Sequence, residues 1–422
     1  MLRSLSTTFG HRRRKALGFG IAVVIAATSL AACGGGTSSA DDSGTVSFFS
    51  WDPQKTMQPL IDEFQKENPT IKVQFSWAPP VAQYISALQT RLRSGTAADV
   101  FIITAENKVQ IMDGKLAKDL SKESFMPNLA QAAKDTYTKD GAVYGVATSS
   151  WGGGILYNKD LLAKVGFSQP PQTWDEFLAL CKKLKDAGIT PFLEAVDGIP
   201  VTVAALVGLQ NKQLGGTMDA QIWAGKQSFS STWTQPLTMW DQLFSQGIET
   251  RSAAGLTGDQ VSQEFEKGTV AMTSTGSWAL GGIKTAAPKL NIGFMAVPGQ
   301  SGTYWAGAVS PGYAINAKTK HQAAAEKFVT FLQSRTAVET YQKTTASITT
   351  TADYTPTLDP ALSDMATAVR AGNFYLPQTS WVNNSDALNT EAIALLQQLA
   401  QGKSSPQQAA AGLDAKLKSL NG

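Results

Sequence analysis

Short hydrophobic segments and amphipathic stretches alternate along the chain from residue 45 onward. Segments 45–51 and 71–77 read as strands, and 100–103 (Val-Phe-Ile-Ile) is typical of a strand buried on both faces. Two stripes between them have helical spacing: Met57, Leu60, Ile61 and Phe64, then Val81, Tyr84, Ile85, Leu88 and Leu92. This βαβαβ order predicts a parallel sheet with the ligand site at its carboxyl edge.

A second unit continues the alternation. Thr173 and Glu176 have capping-box spacing, and the hydrophobic positions that follow them predict a helix with Cys181 on its buried face. Further strands are expected around 143–157, 189–193, 269–273, 291–297 and 313–315. The chain beyond about residue 350 is largely helical in pattern, without an internal repeat. The order predicts an α/β protein with more than one compact unit.

The first 44 residues have a different composition. Segment 1–32 contains basic residues but no acid, and fifteen uncharged residues (16–30) follow its basic run, which is typical of a secretory signal peptide. Leu30-Ala31-Ala32-Cys33 resembles the bacterial lipobox, so Cys33 is the expected lipidation site. The alternative is ordinary signal cleavage beside a chance cysteine. Residues 33–44 are rich in Gly and Ser, as expected of a lipidated N-terminus and flexible tether.

The charge balance argues against a nucleic-acid partner. The 422 residues have a formal net charge of +3, and removing the five basic residues of segment 1–32 leaves −2. A slightly acidic chain of 43% hydrophobic residues is globular and has no electrostatic footprint for DNA or RNA.

Few residues could form a reactive or metal-binding centre. Beyond Cys33, the only cysteine is Cys181, and beyond the leader the only histidine is His321. Zinc sites built from His and Cys, and a Ser-His-Asp triad with its Gly-x-Ser-x-Gly turn, therefore have no candidates. Gly152-Gly153-Gly154 lacks the spacing of a nucleotide-binding loop. We expect no metal and no cofactor.

Several motifs together resemble the extracellular solute-binding proteins of family 1, the sugar-binding subunits of ABC importers. They occur in the family's order over essentially the whole chain beyond the leader. The motifs are Tyr144-Gly145-Val146, Leu156-Tyr157-Asn158-Lys159-Asp160-Leu161, Pro170-Pro171-x-Thr173-Trp174, Thr275-Gly276-Ser277-Trp278, Ser310-Pro311-Gly312-Tyr313 and Leu376-Pro377-Gln378-Thr379-Ser380-Trp381.

The resemblance implies a two-lobed periplasmic-binding-protein-like α/β fold of type II. Each lobe would be a mostly parallel sheet flanked by helices, with the ligand cleft between the lobes. By analogy with the family, residues 45–148 plus 304–349 form lobe 1, and 149–303 plus 350–422 form lobe 2. The implied protein is a monomer.

Sugar sites combine aromatic rings, which contact the apolar C–H faces, with a few fixed polar groups. Five candidate residues follow predicted strands: Trp51, Asp52, Glu106, Asn107 and Asp197. Where the maltose-binding members of the family have a cleft carboxylate, this chain has Trp151. Trp278 and Trp381 match the stacking tryptophans of those members, and Trp305 borders the second crossing between lobes. The predicted substrate-binding set is Trp51, Asp52, Glu106, Asn107, Trp151, Asp197, Trp278, Trp305 and Trp381.

These features predict a non-enzymatic binding lipoprotein on the outer face of the cytoplasmic membrane. It would bind a neutral carbohydrate and deliver it to the permease subunits of an ABC importer. Two alternatives stay open on sequence: a secreted glycoside hydrolase that uses Asp52 and Glu106 as its carboxyl pair, and a sensory binding protein of the same fold. Sequence decides neither the sugar nor the export route, Sec or twin-arginine.

Overall fold

The computed structural model describes residues 44–351, 354 and 357–421. The predicted leader, Cys33 and the tether up to residue 43 lie outside these residues. The strands are β1 (Gly44–Ser50), β2 (Ile71–Trp77), β3 (Val100–Ile103), β4 (Thr138–Lys139), β5 (Ala142–Val143), β6 (Ser149–Asn158), β7 (Thr190–Leu193), β8 (Val270–Gly276), β9 (Ile292–Met295), β10 (Val297–Gly299), β11 (Gly302–Val309), β12 (Gly312–Ile315), β13 (Ile348–Thr349) and β14 (Phe374–Tyr375).

The helices flank these strands. They are α1 (Gln54–Glu67), α2 (Val81–Ser94), α3 (Lys108–Asp113), α4 (Gln131–Thr136), α5 (Lys159–Lys164), α6 (Trp174–Asp186), α7 (Val201–Gln213), α8 (Met218–Trp223), α9 (Phe229–Thr232), α10 (Thr234–Ser245), α11 (Gly258–Glu266), α12 (Leu280–Ala286), α13 (Gln322–Leu332), α14 (Arg335–Thr345), α15 (Ser363–Arg370), α16 (Pro377–Ser380), α17 (Ser385–Ala400) and α18 (Pro406–Asn421). Short 3-10 helices lie at Met126–Asn128, Arg251–Gly255, Ser277–Ala279 and Pro360–Leu362.

The first sheet has the order β12-β3-β1-β2. Strands β1, β2 and β3 are parallel, as the βαβαβ pattern predicts, and β12 joins β3 antiparallel. All four residues of β3 are buried, because helices cover both faces of a parallel sheet. Helix α2 ends at Gly95 with a φ of 72°, a left-handed conformation that glycine adopts without strain.

The second sheet is centred on the long strand β6, in the order β10-β11-β6-β8-β7. Its pairings are mainly antiparallel: β6 pairs antiparallel with β8, β9, β11 and β13, whereas β7 with β8 and β11 with β14 are parallel. The expectation of a mostly parallel sheet in each lobe is therefore wrong for this one. The partners β8, β9, β11 and β13 all come from segments more than a hundred residues after β6, so their direction is set by long connections and not by the alternation of strands and helices.

Two groups of elements have separate hydrophobic cores and are called the lobes from here on. The first lobe contains the first sheet, and its core draws on residues 46–147 and 309–341. The second lobe contains the second sheet, with one core on each side of it, formed mainly by residues 155–306 and 348–417. The chain passes between the sheets before β6, between β11 and β12, and again before β13.

Cys181 and His321, the residues considered as possible reactive groups, both have structural roles or ordinary surface positions. Thr173 and Glu176 form the predicted capping box of α6, and Cys181 is fully buried on that helix. Burial raises the pKa of the Cys181 thiol, so it is inert core. His321 lies exposed before α13, with Nδ1 3.2 Å from Asp99 Oδ2. Within the described ranges, no cluster of His, Cys, Asp or Glu could hold a metal ion, and no helix is long and apolar enough to span a membrane.

Candidate functional site

The carboxyl ends of β1 and β3 meet at one edge of the first sheet, because the two strands are adjacent and parallel. This edge brings Trp51 and Asp52 beside Thr104 and Glu106 in a pocket of about 500 Å³, the first pocket. The second lobe supplies Trp151, Ser277 and Trp278. The pocket is therefore a cleft between the lobes, built from both sheets.

Asp52 is the buried carboxyl group of this pocket, with 9% of its surface exposed. The Tyr341 hydroxyl donates to its Oδ2 at 3.1 Å, and the Asp52 N–H donates to Ser50 Oγ at 2.9 Å. Burial raises the pKa of Asp52 to about 6, and the hydrogen bonds from Tyr341 and Ser50 oppose that rise. Near neutral pH, Asp52 is mostly ionised and accepts hydrogen bonds.

Three indoles line the first pocket. Trp51 packs edge-on against Tyr84, with ring centroids 5.7 Å apart. Trp151 and Trp278 make an edge-to-face pair at 5.1 Å and 84°, and Trp278 is 51% exposed. A Cβ at Gly276 would lie 1.9 Å from the Trp278 ring, so this glycine is what allows the ring to lie over the backbone. An exposed indole held in a concave pocket is a surface on which a ligand can stack.

Buried hydroxyls also face the first pocket without a partner. Ser150 and Ser277 are 0% exposed and Ser347 is 7% exposed, and their Oγ atoms form no hydrogen bond among the described residues. A buried polar group without a partner is costly. These three side chains therefore provide hydrogen-bonding positions for a polar ligand.

Glu106 connects the first pocket to two more. A second pocket of about 640 Å³ adds Asp197 from the β7–α7 loop, and a third of about 380 Å³ lies between α2 and α17; Glu106 lines all three. Burial raises the pKa of Glu106, while the Thr104 hydroxyl and the Gln378 side chain lower it by hydrogen bonding. The cleft is continuous past this carboxyl group.

Asn107 lies next to the cleft but has a structural role. It is 1% exposed and lines none of the three pockets. Its Oδ1 accepts the Thr104 N–H at 2.9 Å, and its own N–H donates to Thr104 Oγ1 at 3.2 Å. The side chain of Asn107 therefore holds the turn that carries Glu106, and its Nδ2 has no partner among the described residues. The prediction that Asn107 also contacts ligand stays a prediction.

Trp305 and Trp381 are not cleft residues, contrary to prediction. Trp305 is 7% exposed and packs so closely on Gly154 that a Cβ there would lie 2.5 Å from its ring. Trp381 is 1% exposed, with its ring centroid 6.2 Å from that of Phe229 and 6.3 Å from that of Trp233. Both indoles fill the cores of the second lobe.

Several polar residues of the cleft were not predicted from sequence, and Tyr341 and Gln378 show why. Tyr341, on α14, reaches Asp52 across nearly 300 positions of sequence, and no local pattern signals that contact. Gln378 lines the second and third pockets, and it lies within the quoted motif that ends in Trp381. That motif does reach the cleft, but through its glutamine and not its tryptophan.

Replacing Asp52 by asparagine should stabilise the protein at pH 8. The folded-state pKa, about 6, exceeds the ordinary value of 3.8, so the stability contributed by protonating this group is full below about pH 4 and lost as pH rises through about 6. Asp52→Asn removes that loss and should raise the free energy of unfolding by roughly 1–3 kcal/mol at pH 8, with little gain near pH 4. Urea unfolding at both pH values measures it. The exposed carboxylate control Asp62→Asn should give no such pH-dependent gain, and a destabilised Asp52→Asn at pH 8 would contradict the assignment.

The fold and the site define a two-lobed substrate-binding protein, with a polar and aromatic cleft between two α/β lobes. A sequence model of the family described as bacterial extracellular solute-binding protein matches residues 50–339. The chain belongs to this family, as the sequence motifs predict.

Similar proteins cover most of the chain. A solved family 1 extracellular solute-binding protein from Bifidobacterium longum subsp. infantis is 31% identical with a TM-score of 0.75, covering 89% of this chain and 99% of that one. The multiple sugar-binding protein of Streptococcus mutans is 27% identical over 343 residues, which is 76% of this chain and 80% of that protein. The solute-binding protein RafE in complex with raffinose, 23% identical with a TM-score of 0.77, covers 90% of this chain and all of that one and shows the same fold.

Proposed function

We propose that this protein is the extracytoplasmic sugar-binding subunit of an ABC importer. The observation that carries the proposal is the half-exposed indole of Trp278, held against Trp151 in the same pocket as the buried carboxyl group of Asp52. A sugar ring presents an apolar C–H face to an indole, and its hydroxyls donate to carboxylates. Binding is without turnover.

Relatives with sugar-binding names support this choice of ligand. The similar protein of Streptococcus mutans is named for multiple sugars, and a protein of Bacillus subtilis, 23% identical over 395 residues, is named for galactooligosaccharides. We infer the same class of ligand here because the aromatic rings and hydroxyls of the first pocket suit it. The ligand would pass to membrane permease subunits, and the protein would act as a monomer.

Closure of the two lobes would capture the ligand. The family resemblance suggests 45–148 plus 304–349 for the first lobe and 149–303 plus 350–422 for the second. We propose the same limits except that β11 (Gly302–Val309) and β13 (Ile348–Thr349) belong to the second lobe, because both pair with β6. Trp51 and Asp52 belong to one side, and Trp151 and Trp278 to the other, so closure changes the surroundings of indoles on both. Intrinsic tryptophan fluorescence should therefore respond to ligand.

Screening the protein against a panel of carbohydrates is the direct test of sugar binding. A ligand that binds only the folded state raises the melting temperature by mass action, and an excess of about 100-fold over Kd stabilises by about 2.7 kcal/mol. Thermal shift against mono- and oligosaccharides, with calorimetry on each positive, should give at least one saccharide with 1:1 binding. Incubation of that saccharide with the protein should release no reducing ends. Failure of every saccharide would overturn the proposal, and release of reducing ends would favour the hydrolase.

Anchoring through Cys33 is the second part of the proposal, and it rests on the lipobox Leu30-Ala31-Ala32-Cys33. Only the thiol can accept the diacylglyceryl group, so Cys33→Ser should abolish lipidation and release the protein from the outer face of the cytoplasmic membrane. Metabolic labelling with a fatty-acid probe and fractionation measure both effects. The buried Cys181→Ser serves as the matched control and should keep the label. A Cys33→Ser protein that still carries lipid would refute the assignment.

A further inference from the structure

The cleft lining has carboxylates but no cationic side chain. Besides Asp52 and Glu106, the second pocket is lined by Asp197, Asp259 and Glu266, and the third by Asp386. No Lys, Arg or His of the described ranges lines any of the three pockets. Such a cleft repels an anionic ligand and attracts a cationic one.

Three hydrogen-bond acceptors meet where the second and third pockets join: Glu106, Asp197 and Gln378. We call this set the acceptor groove. One carboxyl oxygen of Asp197 accepts the Gly258 N–H at 2.9 Å, which fixes the side chain at the groove. The groove lies between the lobes, directly beyond the first pocket, since Glu106 lines both regions.

Gln378 gives independent evidence of a ligand in this groove. Its side chain is 8% exposed and lies beside the Glu106 carboxyl group, whose pKa it lowers. Its Oε1 atom is buried and has no partner among the described residues. A buried acceptor of this kind requires a donor, and the acidic residues around it can accept hydrogen bonds but offer none when ionised.

A protonated amine meets these requirements better than a hydroxyl group. An ammonium group has three donors and no acceptor, whereas a hydroxyl has one donor. It would donate to Gln378 Oε1 in a groove that the carboxyl groups of Glu106 and Asp197 also line. Hydrogen bonds to a charged group are about twice as strong as neutral ones.

We propose that the natural ligand is an amino-substituted oligosaccharide whose ammonium group binds in the acceptor groove while a neighbouring sugar ring lies against Trp278. This inference rests on the proposed sugar-binding function and specifies its ligand class. The first pocket would recognise the ring through its indoles, and the acceptor groove would recognise the charge. The first and second pockets share Glu106, Trp151 and Trp278. A ring on Trp278 therefore lies beside the acceptor groove, and the neighbouring unit of the ligand would carry the ammonium group.

A matched pair of probes tests the proposal on the full chain. The β-1,4-linked glucosamine trimer and its fully N-acetylated counterpart have the same sugar skeleton, but only the first has amino groups, which are largely protonated at about pH 6. Calorimetry should find the amine trimer at least about tenfold tighter than the acetylated trimer, and the advantage should shrink with added salt.

Asp197→Asn should remove most of the amine preference. Asparagine keeps an oxygen for the Gly258 N–H, so the loop stays in place while the charge is lost. The variant should weaken binding of the amine trimer about tenfold more than it weakens binding of the acetylated trimer, so the ratio of the two affinities falls. The control Asp186→Asn removes the same charge from the exposed end of α6, where Asp186 pairs with Lys182, and should change neither affinity.

The outcomes separate the inference from the proposed function. If the acetylated trimer or another neutral sugar of the panel binds at least as tightly as the amine trimer, the inference fails and the sugar-binding function stands. If no saccharide binds, both fail. Tighter binding of spermidine than of any saccharide would also overturn both, because the ligand would then be an amine without a sugar ring.

Discussion

Replacing Trp381 by alanine is expected to cost about 3–5 kcal/mol of folding stability, the usual range for truncating a buried tryptophan. The indole is 1% exposed and packs with Phe229 and Trp233 in the core of the second lobe. Truncation would leave a cavity among side chains that α9 and α10 hold in place. Urea unfolding with a fixed slope measures the loss, and saccharide affinity at low temperature, where the variant is folded, should stay within about twofold of the parent.

Trp77→Ala is the matched control for this prediction. Trp77 is 43% exposed at the end of β2, so its truncation should cost about 1 kcal/mol or less. A Trp381→Ala protein that unfolds like the parent but binds sugar poorly would show that Trp381 lies in the cleft, and would contradict the packing described above.

Replacing Trp278 by alanine should have the opposite signature. Truncating a stacking anchor typically costs about 2 kcal/mol or more of binding, about 30-fold in affinity. The same change should reduce folding stability by only about 1 kcal/mol, because half of the indole is exposed and its main contact is the edge-to-face pair with Trp151. Calorimetric affinity for the tightest saccharide of the panel and the unfolding midpoint, measured on one sample, separate the two effects.

Trp278→Phe provides an internal comparison for that experiment. The smaller ring keeps an aromatic surface, so affinity should fall between those of the parent and the alanine variant. Equal affinities in the parent and in both variants would show that no ligand stacks on this side chain, and the assignment of the first pocket would fail.

Local pattern was sufficient for the βαβαβ segment of the first lobe and for the start of α6 in the second. Strands 71–77 and 100–103 have the predicted bounds, and the capping box of α6 forms as its spacing indicates. In these segments the hydrophobic period reports directly which face is buried. Pairing direction in the second sheet was not predictable in this way, since it depends on how β6 enters from the other lobe and not on the sequence of β6.

The tryptophans show the limit of site prediction most clearly. Trp278 and Trp381 both follow a short motif and carry the same family resemblance, yet one is 51% and the other 1% exposed. The difference arises from Phe229 and Trp233, which lie about 150 residues before Trp381 and cover it. Whether an indole faces ligand or core depends on such long-range partners, and those do not leave a local signal.

The antiparallel strand β12 has a consequence for how the protein is made. Gly312 pairs with Ile103, so the last strand of the first sheet follows β3 in the chain by about two hundred residues. When the chain is made from its N-terminus, the first lobe cannot be completed until β12, about three quarters of the way along the sequence, has been synthesised. The second lobe is also built from separate segments, because Ile348 pairs with Ser150. Neither lobe can therefore finish folding early: the first needs residues up to Tyr341 and the second needs residues up to Leu417.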